Sequence, residues 1–182
     1  ALTRYSAALM GPPVVDLTEA LRVLDAGDVA EPDGEDGIAA TVARVRELAD
    51  ATRLVIALGG DNALTYPVAR GARATGLITI DAHFDLRDGI SNGSPVRRLI
   101  EDAPEGERID PTRIVQIGIA DFANSAAYAA RAADWGIRVI TLDEVRRRGI
   151  AEVIAEATRI AGAGAGARIH LDVDVDAADR AA

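Results

Sequence analysis

Residues 77–85 read Leu77-Ile78-Thr79-Ile80-Asp81-Ala82-His83-Phe84-Asp85, a short apolar run that passes without a spacer into two acids and an imidazole. The run Leu77 to Ile80 reads as a buried strand that ends on Asp81. If strand geometry continues, alternation puts Asp81, His83 and Asp85 on one side.

Similar runs lie on either side. Upstream, Leu54 to Leu58 is a continuous apolar run closed by Gly59-Gly60 and reads as a strand. A helix is expected to follow from Leu64 to Ala74, with Pro67 in its first turn. Before it, Ile38, Val42, Val45 and Leu48 recur at helical spacing, with Asp36 as the expected cap, and Ala20 to Val29 is strand-like. Downstream, the segment Pro95 to Glu101 starts a short helix, and Arg113 to Ile119 and Ile137 to Leu142 are strands separated by an Ala-rich helix from Ser125 to Trp135. Asp143 caps a short helix through Arg148, Ala151 to Ile160 is another helix, and Arg168 to Val175 is the last strand. Alternating strands and helices without hairpin signals mean βαβ units: an α/β fold in three layers, α/β/α, around a mainly parallel sheet. In such sheets the working groups sit at the carboxyl ends of the strands.

Half the 182 residues are hydrophobic (49%), which suits one packed domain over 1–182. The chain starts with Ala and stops just after an acidic motif, so it is read as incomplete at both ends. Net charge is −9, which argues against nucleic acid or an anionic membrane as partner. All 20 basic residues are Arg, a compositional rather than a functional signal. There is no Cys, so thiolate chemistry and disulfides are excluded. No apolar run is long enough to span a bilayer and no targeting segment is visible; a soluble, cytoplasmic protein is the expectation. The alternating Ala-Gly tract 161–167 precedes a strand and has no Lys after it, so it reads as a connection rather than a phosphate loop.

Three acidic clusters fall at strand ends. At Asp81-Ala82-His83-Phe84-Asp85, two carboxylates and an imidazole that converge would repel and desolvate one another without a cation. Oxygen ligands plus imidazole suit Mn²⁺, with other divalent transition metals not excluded. At Asp172-Val173-Asp174-Val175-Asp176, three acids interrupt a strand that should be apolar, which is simplest to explain if they hold a cation; the alternative is a strand fraying into solvent. At Gly59-Gly60-Asp61-Asn62 the glycines allow a tight turn, and helix capping is the better account of Asp61.

In this order the clusters resemble the ureohydrolase family of arginase, agmatinase and formimidoylglutamase, whose pattern is Gly-Gly-Asp-His, Asp-Ala-His-x-Asp and Asp-x-Asp-x-x-Asp. The family's last Asp follows its metal pair after two residues, which Asp179 satisfies if the pair is Asp174 and Asp176 rather than Asp172 and Asp174. The resemblance implies an arginase-like fold and two Mn²⁺ ions per chain that acidify a shared water. Asp81 and Asp174 would bridge the ions, His83 and Asp176 would complete one, and Asp85 would belong to the other. Asn62 stands where the family has its first His ligand, and its amide oxygen is a weaker donor than imidazole. His83 and Asp85 are the expected catalytic residues, Asp85 as the group that orients the attacking water and passes on its proton.

Ser91-Asn92-Gly93-Ser94-Pro95 resembles the family's substrate loop, with Asn92 where arginase and agmatinase carry His, and Asn92 and Ser94 are expected to contact substrate. Arg87 falls where the substrate tail is bound; a guanidinium suits a carboxylate and repels the cationic tail of agmatine. The expectation is therefore a binuclear manganese hydrolase of C–N bonds in linear amidines, acting on N-formimidoyl-L-glutamate in histidine degradation. Alternatives are an agmatinase- or arginase-like guanidine hydrolase that releases urea, and a metal-binding relative impaired in catalysis, for which Asn62 and Asn92 speak. The partner is a small amidine or guanidine, and a homo-oligomer is left open.

Overall fold

Leu77 and Ile78 are neighbours in sequence and both are buried, yet each belongs to a different apolar cluster. The alternation of one strand separates the two layers of helix around it. In the computed structural model, which describes residues 6–177, that strand is β3, Gly76–Ile80. The chain, read from sequence as one domain over 1–182, divides into two compact units, one ending at Ala30 and the other starting at Glu31.

In the first unit β1 (Ala8–Leu9) and β2 (Val15–Asp16) pair antiparallel, and Asp16 caps the short helix α1 (Leu17–Ala20) by accepting from the Thr18 amide at 2.9 Å. The strand expected over Ala20–Val29 does not form. Its apolar residues Leu21, Val23 and Leu24 are exposed, and no described strand offers it a ladder.

The second unit holds four parallel strands in the order β5-β4-β3-β6: β5 is Arg138–Thr141, β4 Ile114–Ile119 and β6 Ile169–Val173. Leu77, Ile114 and Ile119 face one apolar cluster with residues of α3 (Thr65–Gly71), α4 (Pro95–Glu101) and α5 (Ala126–Trp135), and Ile38 of α2 (Gly34–Ala51) packs against it. Ile78, Val115, Ile117 and Ile140 face the other, with Val153, Ala157 and Ala161 of α7 (Ile150–Ala161) and Val145 of α6 (Leu142–Arg148). The three-layer α/β fold is thus present, with a parallel sheet.

Several boundaries differ from expectation for local reasons. Helix α2 begins after Asp33, so Asp36 lies inside its first turn, where an acid favours the helix dipole, and is not the cap. Helix α6 is capped by Thr141, whose hydroxyl accepts from the Glu144 amide, rather than by Asp143. The apolar run Leu54 to Leu58 is not a strand. Its side chains at 54, 56 and 58 are 74%, 75% and 80% exposed, and no described strand pairs with it. An apolar run needs a ladder partner as well as β-branched residues to become a strand.

Candidate metal centre

Asp81 and Asp174 leave the sheet side by side because β3 and β6 are neighbours in parallel register, Ile80 opposite Val173. Two further backbone bonds extend the ladders past the strand ends: Asp174 N donates to Ile80 O and Asp81 N to Ile117 O, each at 2.9 Å. The chain then turns at 175–177, and Asp176 N donates to the Asp174 carboxylate at 3.0 Å. That turn brings Asp176 to His83, Oδ2 to Nδ1 at 2.9 Å, with Asp81 Oδ1 at 3.4 Å from the same nitrogen. One ligand atom each from Asp81, His83 and Asp176 all lie within 4.8 Å of one another. Of the two registers open for the last motif, this geometry sets Asp176 against His83, while Asp172 stays inside β6 opposite Thr79. Asp179, which decided the register in sequence, lies outside the described residues.

The loop 81–89 is held by groups whose role the sequence reading missed. Gln116, fully buried in β4, donates through Nε2 to Phe84 O at 2.7 Å. Asn124 accepts from Phe84 N at 3.0 Å and donates to Ala82 O at 2.8 Å. Arg97 donates to the carbonyls of Arg87 and Gly89, and Arg131 to that of Leu86. A polar Gln in an otherwise apolar strand was the one signal available in sequence. Asp85 has φ +53°, a left-handed conformation that an acid adopts at a cost and that fixed neighbours must hold in place. Beside Asp81, Gly118 at φ +97° sits at an irregularity in the β4–β5 ladder; a Cβ there would lie 3.3 Å from Asp81 O.

Asn62 lies beside the cluster. Its amide nitrogen donates to Asp81 Oδ2 at 3.2 Å and to Asp85 Oδ2, while its oxygen accepts from Thr65 at 3.0 Å. With the amide so oriented Asn62 bridges the two carboxylates as a donor, and a half-turn of the amide is needed to present the oxygen to a cation. Asp61 caps the 3-10 turn Asn62–Leu64 through the Ala63 amide at 2.9 Å.

Electrostatically the cluster is unbalanced. Burial first, and then the charges of Asp176 and Asp174, push Asp81 up to about 6. Burial and then Asp81 push Asp85 further, to about 9. Burial also raises Asp172, whose Oδ2 is buried without a hydrogen-bond partner. A cation reverses each of these penalties, and hard oxygen donors with one imidazole are the donor set that a divalent ion of the Mn²⁺ type takes. The residues present therefore fit a metal.

Beside the cluster lies a cavity of about 260 Å³, with His83, Asp85 and Arg87 on one side and Asn124, Ser125 and Tyr128 on the other. The Arg87 side chain lies across Gly93, where a Cβ would meet its Cδ at 2.7 Å, and Arg87 N donates to Gly93 O at 2.9 Å. Asn92 is exposed. Ser94 is fully buried, and its hydroxyl braces the loop by accepting from Ser91 N and donating to Ser91 O. Neither Asn92 nor Ser94 lines the cavity.

The sequence profile of the arginase family matches residues 1–182. The chain belongs to the arginase family. Among its relatives, the formimidoylglutamase of Bacillus subtilis (strain 168) is 36% identical over 107 residues, which are 54% of this chain and 32% of that one. A crystal structure of formimidoylglutamase from that strain superposes with a TM-score of 0.70 at 28% identity, covering 82% of this chain and 48% of the other. A guanidinopropionase of Pseudomonas aeruginosa is 35% identical over 154 residues, 79% of this chain and 47% of its own length. Trypanosoma cruzi formiminoglutamase with Mn²⁺ has the same fold, with a TM-score of 0.73 at 23% identity, and is covered over 52% of its chain against 84% of this one. The chain thus spans about half, or less, of the length of these arginase-family members.

Proposed function

We propose that the protein carrying this chain is a manganese-dependent, cytoplasmic hydrolase of C–N bonds in linear amidines, with N-formimidoyl-L-glutamate as substrate in histidine degradation. The observation that carries this reading is the convergence of Asp81, His83 and Asp176, with His83 also lining a cavity shared with Asp85 and Arg87. Asp81, His83, Asp174 and Asp176 would hold two Mn²⁺ ions together with Asp85 and, after a turn of its amide, Asn62. When bound, such ions supply Lewis acidity and make water a stronger acid near neutral pH. Asp85, at the cavity wall, accepts a proton from the attacking water and returns one to the departing nitrogen. The water oxygen bonds to the amidine carbon, the C–N bond to the glutamate nitrogen breaks, and the products are L-glutamate and formamide. Arg87 takes a substrate carboxylate, and Asn124 and Gln116 keep the Asp81–Asp85 loop in place while this happens. The similarity to formimidoylglutamases supports the choice of substrate.

A second reading is favoured by the guanidinopropionase similarity: a guanidino acid also offers Arg87 a carboxylate, and would release urea. Agmatine, whose tail is cationic, suits Arg87 poorly. The test is to incubate Mn²⁺-loaded protein with N-formimidoyl-L-glutamate, 3-guanidinopropionate and agmatine, and to quantify formamide and urea. Formamide from the first substrate is expected. Urea from the second would move the assignment to the guanidino acids, and turnover of none would leave a metal-binding relative. Replacing Arg87→Ala is expected to raise KM for the acid substrate about tenfold or more, the loss of one charge-assisted hydrogen-bond pair, with a smaller effect on kcat.

A further inference from the structure

The metal cluster sits where β3 ends; where β3 begins, the charge is reversed. Thr75 leads into the strand, and around it open Arg46 from α2, Arg70 from the last turn of α3, Arg73 just after that helix, and Arg108, lining a hollow of about 340 Å³. Five residues of strand, at roughly 3.3 Å each, put about 17 Å between this hollow and Asp81. It is therefore separate from the site described above.

The acids present do not balance these arginines. Glu107 alone serves two of them, accepting from Arg46 Nη2 at 2.9 Å and from Arg70 Nε at 2.8 Å. Asp50 pairs with Arg73 at 2.6 Å. Arg108 spends its Nε on Ala103 O at 2.9 Å and has no acidic partner among the described residues. Four guanidiniums against two carboxylates leave two positive charges at this one place, in a chain whose net charge is −9. Arg46 Nε is in addition buried with no hydrogen-bond partner. One more guanidinium stands behind Thr75, whose hydroxyl accepts from Arg113 Nη2 at 3.1 Å and from the backbone N–H of Arg168 at 3.0 Å. Glu107 shows what the hollow takes. Burial works against its charge, but the hydrogen bonds of Arg70 and Arg46 outweigh that and hold its carboxyl below the ordinary range.

We propose that this arginine-lined hollow is a binding site for a small oxyanion of the phosphate class, inorganic phosphate or a phosphomonoester. Planar guanidinium forks match phosphate oxygens in pairs, and a dianion would neutralise the two charges left over. A purely structural salt-bridge network tying α2, α3 and the 106–108 loop explains Glu107 but not the open volume or Arg108, which has no acidic partner among the described residues.

The test is calorimetric titration of the metal-free chain with inorganic phosphate at constant ionic strength, chloride serving as the ionic control and citrate and glucose 6-phosphate as further arms. One saturable phosphate site per chain is expected. Tighter binding of glucose 6-phosphate would name a phosphomonoester as the ligand, and preference for citrate over both would overturn the phosphate class. Arg108→Gln, at an exposed position, is expected to weaken phosphate about tenfold or more. Glu107→Gln is expected to tighten it, because the internal carboxylate that competes for Arg46 and Arg70 is gone. No saturable binding above chloride, or binding that neither substitution changes, would overturn the proposal. Arg108→Gln decides alone if Glu107→Gln does not fold.

Discussion

Gln116 sits in the middle of β4 with apolar residues on either side, and its side chain is spent on one carbonyl, that of Phe84. Replacing it with Leu of similar size leaves that carbonyl without its donor in a place water does not reach. Removing Gln116 Oε1, itself buried without a partner, offsets part of this, and the expected cost is about 1 kcal/mol in urea denaturation. Because Phe84 lies between His83 and Asp85, weaker Mn²⁺ binding should accompany it, whereas a mere packing defect would leave Mn²⁺ affinity unchanged. The spacing of Asp81, His83 and Asp85, and of Asp174 and Asp176, is visible in sequence, but the strand geometry expected to align the first three ends at Ile80, and Asp85 turns to φ +53°. The hydrogen bonds that hold the loop in place are not visible in sequence: Gln116 reaches back 32 residues to Phe84, and Asn124 reaches back 40. Nothing in the spacing of single residues records such pairings. Ser94 shows the same limit from the other side, since its motif suggested substrate while its hydroxyl closes a turn on Ser91.

At the scale of elements, β3 and β6 together make the site, and β6 is also where pH should act on the fold. His170 of β6 is pushed down to about 4 by burial, against roughly 6.5 for an unfolded imidazole. The unfolded chain thus takes up this proton first. His170 contributes stability above pH 6.5 that is lost as the pH falls toward 4. Asp81 and Asp85 act in the opposite sense in the metal-free protein: with folded values of about 6 and about 9, they lose stability as the pH rises through those values. The difference between wild type and His170→Leu isolates the first effect. The wild-type urea midpoint minus that of the variant should fall as the pH drops from 7 to 4.5, and a constant difference would contradict the assignment. The strand and helix succession was legible from about residue 64 onward, because each apolar run there has a partner. It failed at Leu54–Leu58 and at Ala20–Val29, where composition favours a strand but no described strand supplies the ladder. Pairing is a property of two segments, and a window of one cannot contain it.

Across the whole molecule the sheet has two chemically opposite ends. Acids gather where β3 and β6 finish, and arginines gather where β3 starts. The overall charge of −9 said only that nucleic acid is an improbable partner; the separation into poles appears once the strands are parallel and in register. At the acidic end a cation should act on global stability by mass action, since it binds the folded arrangement and not the dispersed ligands of the unfolded chain. Mn²⁺ at a hundredfold excess over Kd is expected to stabilise the protein by about 2.7 kcal/mol for each site it fills. A chelator should reverse this, and the effect should grow with pH because ion binding requires Asp85 to release its proton to solvent. The most direct test is the Mn²⁺ content of the purified chain by elemental analysis after equilibrium dialysis, with Asp174→Asn in parallel. Two ions per chain are predicted, falling in the variant, which loses one of the carboxylates that would hold them. No retained Mn²⁺ in the wild-type chain would contradict the reading of its strand-end acids as a metal centre.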